Sequence, residues 1–257
     1  MPSFRFLRLL LHVVEGFLTT ILVFPMVSPH RRNWLISSWS QRLLRILHVS
    51  VKIFGTPPPR NIKNSIFIAN HISWLDMFLL HAIQAMRFVS KAEVRGWPLV
   101  GRMVANSETL FIERGKRSDA RRINSDMLKT LERGERIAFF PEGTTSDGTD
   151  VRNFHSSLLQ AAIIAKAQLW PVAIRYRTVE GAIDIEPADT DVSFSASLKR
   201  ILKKDRIYVE LSFLPPLNTA EKTRRELATA ARTAIVDKLN GRDSSPEKSD
   251  HLLSVAR

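Results

Sequence analysis

Ile66-Phe67-Ile68-Ala69-Asn70-His71-Ile72-Ser73-Trp74-Leu75-Asp76 is the stretch on which the reading of this chain turns. Ser65–Ala69 is a short, apolar, strand-like run of the kind that forms a buried strand. From Trp74 to Ile83 apolar residues continue at helical spacing, so His71 falls at a strand-to-helix turn and Asp76 about one turn into the helix. A carboxylate there can accept the imidazole Nδ1–H and fix the tautomer, leaving Nε2 as a base. The plainer alternative is a structural histidine beside a helix-capping Ser73.

The same alternation continues outward. Strand-like runs fall at Arg87–Ser90, Thr109–Ile112, Arg136–Phe140, Trp170–Arg177 and Arg206–Phe213. Helical patterns fall at Asp119–Glu132, Ser157–Ala167 and Glu221–Leu239. Such alternation predicts an α/β domain, a mainly parallel sheet flanked by helices, with ligands beyond the C-terminal ends of the strands.

Two more groups stand at those ends. Thr109-Leu110-Phe111-Ile112-Glu113-Arg114-Gly115 brings an arginine out of a strand, where its planar fork suits a phosphate. Ile137-Ala138-Phe139-Phe140-Pro141-Glu142-Gly143-Thr144-Thr145-Ser146 ends a strand in a carboxylate and a glycine turn, which exceeds what a turn requires.

The N-terminal quarter differs. Up to Arg60 it carries eight Lys and Arg against the single acid Glu15, within a chain of net charge +13. Leu9–Phe24 is apolar but shorter than the ~20 residues of a spanning helix. Trp34–Phe54 reads as one amphipathic helix, with Trp34, Ile36, Trp39, Leu43 and Leu47 opposite Arg42, Arg45 and Lys52. That pattern suits a helix lying in a lipid interface, or one packed on a domain core. Gly55–Arg60, with three prolines, marks a boundary. The expected organisation is therefore a membrane-anchoring helical segment over 1–60, a catalytic domain over 61–240 and a polar, flexible tail over 241–257.

Composition excludes several chemistries. The 257 residues contain no cysteine, so disulfides and thiol nucleophiles are out. No G-x-S-x-G elbow supplies a serine nucleophile. The seven histidines form no H-E-x-x-H pair, and no metal site is expected. The basic residues lack the aromatic interleaving of an RNA-binding sheet, and no nucleic-acid partner is expected. The rival to an enzyme is a basic membrane-binding protein with a degenerate site.

Taken in order, Asn70–Asp76, Phe111–Arg114, Phe140–Thr144 and Trp170-Pro171-Val172-Ala173-Ile174 resemble the four motifs of the glycerolipid acyltransferases of the lysophosphatidic acid acyltransferase type. Lys91 and Gly96-Trp97-Pro98-Leu99-Val100-Gly101 also look like that family's segment between the first two motifs. The resemblance spans about residues 64–177 and implies a glycerolipid acyltransferase-like fold. It implies His71 as general base with Asp76 orienting it. It implies Arg114 on the acceptor's phosphate, and Asn70, Ser73, Lys91, Glu113, Pro141, Glu142, Gly143 and Thr144 around the substrates. The implied donor is acyl-CoA or acyl carrier protein, with no separate cofactor. The implied acceptor is a lysophospholipid, reached from membrane lipids at the cytoplasmic face of the bacterial inner membrane. Phe154-His155-Ser156-Ser157 stands where phosphatidate-forming members usually carry a lysine. This leaves 1-acyl-sn-glycerol-3-phosphate first and lyso-ornithine lipid second among expected acceptors.

Overall fold

The computed structural model describes residues 2–97, 99–113, 117–190, 192–242 and 251–253. Its frame is an eight-stranded sheet in the order β4-β3-β5-β2-β6-β7-β1-β8. The strands are β1 (Val49–Phe54), β2 (Ser65–Ala69), β3 (Arg87–Lys91), β4 (Leu110–Ile112), β5 (Arg136–Phe139), β6 (Gln168–Arg177), β7 (Ile207–Phe213) and β8 (His251–Leu253). All pairings are parallel except β6 with β7 and β1 with β8. The predicted mainly parallel sheet flanked by helices is thus what the chain forms.

β2 lies inside the sheet and is buried on both faces. Phe67 and Ala69 point to a core shared with the helices α1 (Pro2–Leu18), α2 (Pro29–Ile46), α3 (Leu75–Ile83) and α7 (Phe194–Lys203). Ile66 and Ile68 point the other way, to α5 (Arg117–Glu132), α6 (Leu159–Ile164) and α8 (Arg224–Leu239). Parallel strands covered on both sides are why Ile66–Ala69 is apolar at every position. A short α4 (Val100–Asn106) lies between β3 and β4.

Two expectations for the N-terminal quarter need correction. The helix predicted over Trp34–Phe54 ends at Ile46; His48 takes a left-handed φ of 56°, and Val49–Phe54 joins the sheet beside β7. Val49, Val51 and Ile53 are buried and alternate with Ser50 and Lys52, the period of a strand. The boundary at residue 60 therefore does not separate a helical segment from the sheet. Of the two readings left open for the apolar stripe of α2, lipid interface or domain core, the core one holds over most of it: Ile36, Leu43 and Leu47 are buried, and α2 packs chiefly on α3. Trp34 is the exception, at 62% exposed.

The uncovered surface belongs to α1. Helical geometry runs on from Phe4 through Met26, 23 residues, longer than the predicted Leu9–Phe24 because Arg5 turns inward. The guanidinium donates to the carbonyls of Leu202, Lys204 and Leu47. The ring of His12 stacks on Trp39 at 4.5 Å. A Cβ at Gly16 would meet Trp39 Nε1 at 2.5 Å and Met103 Cε at 2.6 Å, and the Thr20 carbonyl accepts from Asn106. These contacts recur along the whole length, so the helix lies against the domain. Its opposite face leaves Phe4, Phe6, Leu7, Leu10, Leu11, Val14, Leu18 and Leu22 exposed.

Candidate active site

The parallel register sets β2 beside β5 and β6, so the turn after Ala69 and the turn after Phe139 leave the sheet side by side. Asn70 is buried and spends both ends of its amide on β6, donating to the Ile174 carbonyl and accepting from the Ile174 N–H. It staples the strand end that launches His71 to β6.

His71 Nδ1 lies 2.9 Å from Asp76 Oδ2. The same oxygen accepts from the backbone N–H groups of Ile72 (2.7 Å) and Ser73 (3.0 Å), and Oδ1 accepts from the Tyr176 hydroxyl at 2.7 Å. Asp76 is fully buried while the His71 side chain keeps 20% of its surface exposed. The carboxylate is thus fixed by four donors, and the imidazole it orients reaches the outside. Nδ1 facing a carboxylate selects the Nδ1–H tautomer, which leaves Nε2 free to take a proton. Phe140 stacks on the ring at 4.0 Å and 7°, which restricts its rotation. Ser73 is buried, its hydroxyl accepting from the Leu75 N–H at the start of α3.

Glu142 comes from the tip of β5. Its two oxygens accept from the His71 N–H (2.7 Å) and the Arg152 N–H (2.9 Å). Burial pushes this carboxyl up to about 7, with both N–H donors pulling it back. Gly143 takes φ +76°, a left-handed conformation that glycine adopts without strain, and its N–H closes the turn on the Phe140 carbonyl. Ser146 donates from its backbone N–H to the His71 carbonyl at 2.8 Å, so the 140–146 loop grips the His71 turn from both sides. Pro141 is buried, and its carbonyl accepts from the His155 N–H, which seats the 154–157 segment against this tip. Thr144 is half-buried in the same loop.

The sheet therefore brings His71, Asp76, Pro141, Glu142, Gly143 and Thr144 together. Lys91 is exposed at the end of β3, and Glu113 is exposed just past β4. Arg114 lies outside the described residues. Among the described residues, no group of three or more His, Asp or Glu side chains is placed to hold a metal ion.

Four participants were not singled out from the sequence: Phe140, Ser146, Tyr176 and Asp189. The N–H of Asp189 donates to the Ile72 carbonyl, and burial raises its carboxyl while the Thr145 hydroxyl and the Trp74 N–H counteract this. Tyr176 lies inside β6, and Phe140 stands one residue past β5, where the predicted run Arg136–Phe140 overshoots the strand. Alternation puts Val172, Ile174 and Tyr176 on the α3 face of β6, the available signal that Tyr176 could meet Asp76.

Comparison with known proteins agrees with this geometry. The acyltransferase family pattern matches residues 51–175. The chain is 38% identical to the lyso-ornithine lipid O-acyltransferase of Pseudomonas aeruginosa over 81% of its own length and 79% of that protein's. It is 34% identical to the 1-acyl-sn-glycerol-3-phosphate acyltransferase of Neisseria meningitidis, over 77% of both. The fold is similar to the crystal structure of the 1-acyl-sn-glycerophosphate acyltransferase from Thermotoga maritima, at TM-score 0.62 and 19% identity, covering 95% of this chain and all of that one. With a histidine–aspartate pair on the matched strand ends and relatives this close over most of the chain, the protein belongs to the acyltransferase family.

Proposed function

We propose that the protein moves a fatty acyl group from a thioester donor, acyl-CoA or acyl carrier protein, to the free hydroxyl of a lyso-lipid. One observation carries this: an imidazole fixed through Nδ1 by a buried carboxylate, with its ring partly exposed at the strand ends. His71 Nε2 takes the hydroxyl proton as the oxygen attacks the thioester carbonyl. The tetrahedral adduct collapses with loss of the thiolate, which receives that proton from the imidazolium, and the ester is formed. Glu142 acts on the backbone, holding the His71 and Arg152 N–H groups so that the two turns keep their spacing.

1-Acyl-sn-glycerol-3-phosphate is the first acceptor reading. A phosphate monoester suits the cations expected near the strand tips, with Lys91 at the end of β3 and Arg114 beyond β4. Lyso-ornithine lipid is the second. It is favoured by the His155 segment seated on Pro141 and by the 38% identity to a protein of that name. The exposed apolar face of α1 supports action at one leaflet, and we place the protein at the cytoplasmic face of the bacterial inner membrane.

The test is acyl transfer by purified protein in detergent, with each acceptor and each donor. Ester formation that disappears in His71→Ala is the expected result. A folded wild-type protein that acylates neither acceptor would overturn the proposal.

A further inference from the structure

Six aromatic rings form a chain across the N-terminal side of the domain. Trp97 lies 5.3 Å from Phe194, Phe194 lies 5.3 Å from Trp74, and Trp74 lies 5.9 Å from Phe78. Phe78 continues at 5.7 Å to Trp39, on which His12 stacks. The inner end is anchored in the fold, where Trp39 Nε1 donates to the His12 carbonyl. Trp74 Nε1 donates to Ser197 Oγ, which sets the indole that stands three residues beyond His71.

The outer end is different. Trp97 and Phe194 are each 39% exposed, and Leu99 beside them is 41% exposed. None of the three is needed by the chemistry at His71. The Gly96–Gly101 stretch stood out in the sequence, yet it supplies no side chain to the described catalytic cluster. Large apolar residues left half in the open on two separate elements, in ring contact with one another, mark a surface that something apolar covers.

Position identifies the occupant. α1 packs on both α4 and α7, the elements next to Trp97 and Phe194, so this surface continues the exposed apolar face of α1. Inward from Phe194 it reaches Trp74, three residues past His71. A lipid drawn from a leaflet in contact with α1 meets Trp97 and Phe194 first, then Trp74. The acceptor is the substrate that resides in that leaflet, whereas the donor arrives from water on a soluble carrier.

Resting on the acyl-transfer reading above, we propose that Trp97, Phe194 and Trp74 form a rail that binds the acyl tail of the acceptor lipid and delivers its hydroxyl to His71. Trp97 and Phe194 are positioning residues on this account. They hold the tail and take no part in proton transfer.

The test uses two acceptor series, 1-acyl-sn-glycerol-3-phosphates and matched lyso-ornithine lipids, each running from short water-soluble tails to long ones. Trp97→Ala and Phe194→Ala are assayed in mixed micelles, with thermal melting to confirm folding. Each should raise KM for long-tailed acceptors about tenfold, in line with the loss of one large apolar contact, while kcat and donor KM hold. Short-tailed acceptors should show little change, and Phe194→Leu should recover most of the loss. Equal effects on short and long acceptors, a change tied to donor chain length, or no change at all would each overturn the rail. So would a parallel loss of sedimentation with phospholipid vesicles, because the surface would then be an anchor only. Wild-type protein that acylates neither series would defeat the acyl-transfer reading itself.

Discussion

Around His71, Asp76 meets four donors within 3.0 Å and has no exposed surface, while along α1 a row of large apolar side chains is left a third to two thirds exposed. Both regions are built from ordinary elements of the same domain. The strand tips are over-determined, as the proposed base would require in order to hold one tautomer and one direction through a reaction. The outer face of α1 needs no partner within the chain, since a lipid phase can cover it at no polar cost. Rigidity marks the first region and unsatisfied apolar area the second. Changes in each should therefore register in different measurements.

The largest effect belongs to the base. His71→Ala should lower kcat by roughly 10²–10⁴-fold with little loss of vesicle binding, the usual size for general-base catalysis. Asp76→Asn should fall short of that loss, because the imidazole stays while its tautomer and orientation degrade. Near-normal turnover in folded His71→Ala would remove the catalytic half of the comparison.

The second effect separates two helices that look alike in sequence. Leu43 on α2 is 2% exposed and packs in the core, whereas Leu11 on α1 is 60% exposed. Leu43→Ala should cost about 2–5 kcal/mol of stability, as buried leucines do. Leu11→Ser should leave the melting temperature nearly unchanged and weaken vesicle binding by about 1.5–3 kcal/mol, the worth of one large apolar side chain. The reverse pattern, with Leu43 governing vesicle binding, would restore the lipid-facing reading of α2.

That pair also shows how far the sequence was legible. An amphipathic stripe has the same spacing whether lipid or another helix covers it, and only the fold showed α3 lying on α2. β1 was missed for a related reason. Helical spacing from Trp34 reached Phe54 without a visible stop, since the turn is made by His48, a non-glycine residue at φ 56°. The strand ends were legible because His71, Asp76 and Glu142 sit within a few residues of apolar runs that could hardly be anything else. Tyr176 was not, because it meets Asp76 across 100 residues and only through the β2–β6 register, with Ala69 beside Val172. The part assigned to Arg114 rested on its place after a strand-like run and on the resemblance, and the residue lies outside the described residues.

A third effect follows from Glu142. Its folded-state value of about 7 stands above the ordinary 4.5, so this group favours the folded state fully only below about pH 4.5. Its contribution is lost as pH rises toward 7 and is constant beyond. The span corresponds to at most about 3 kcal/mol. Carboxylates paired with cations, such as Glu135 beside Arg87 and Arg133, slope the other way. The test is therefore a difference: denaturant unfolding of wild type and Glu142→Gln at a series of pH values from 4.5 to 8. The gap between the two should change across that window, and a constant gap would show that Glu142 keeps an ordinary acidity.

The smallest effect probes whether the Asp76 carboxylate is as constrained as four donors imply. Tyr176→Phe removes one hydroxyl and changes almost no volume, so packing on β6 is preserved. Asp76 Oδ1 then loses its hydroxyl donor inside a fully buried site, which costs about 1–3 kcal/mol for an unsatisfied polar group. Part of that cost falls on stability and part on the orientation of His71, because the carboxylate is held on its other oxygen by Ile72, Ser73 and His71 itself. Three remaining donors should keep the His71–Asp76 contact, so kcat should fall by about tenfold or less while both KM values stay put. The signature sought is a modest loss of turnover without a change in substrate binding or vesicle association. A loss as deep as that of His71→Ala would mean that the backbone donors alone do not hold Asp76, and that the tyrosine is as necessary as the base.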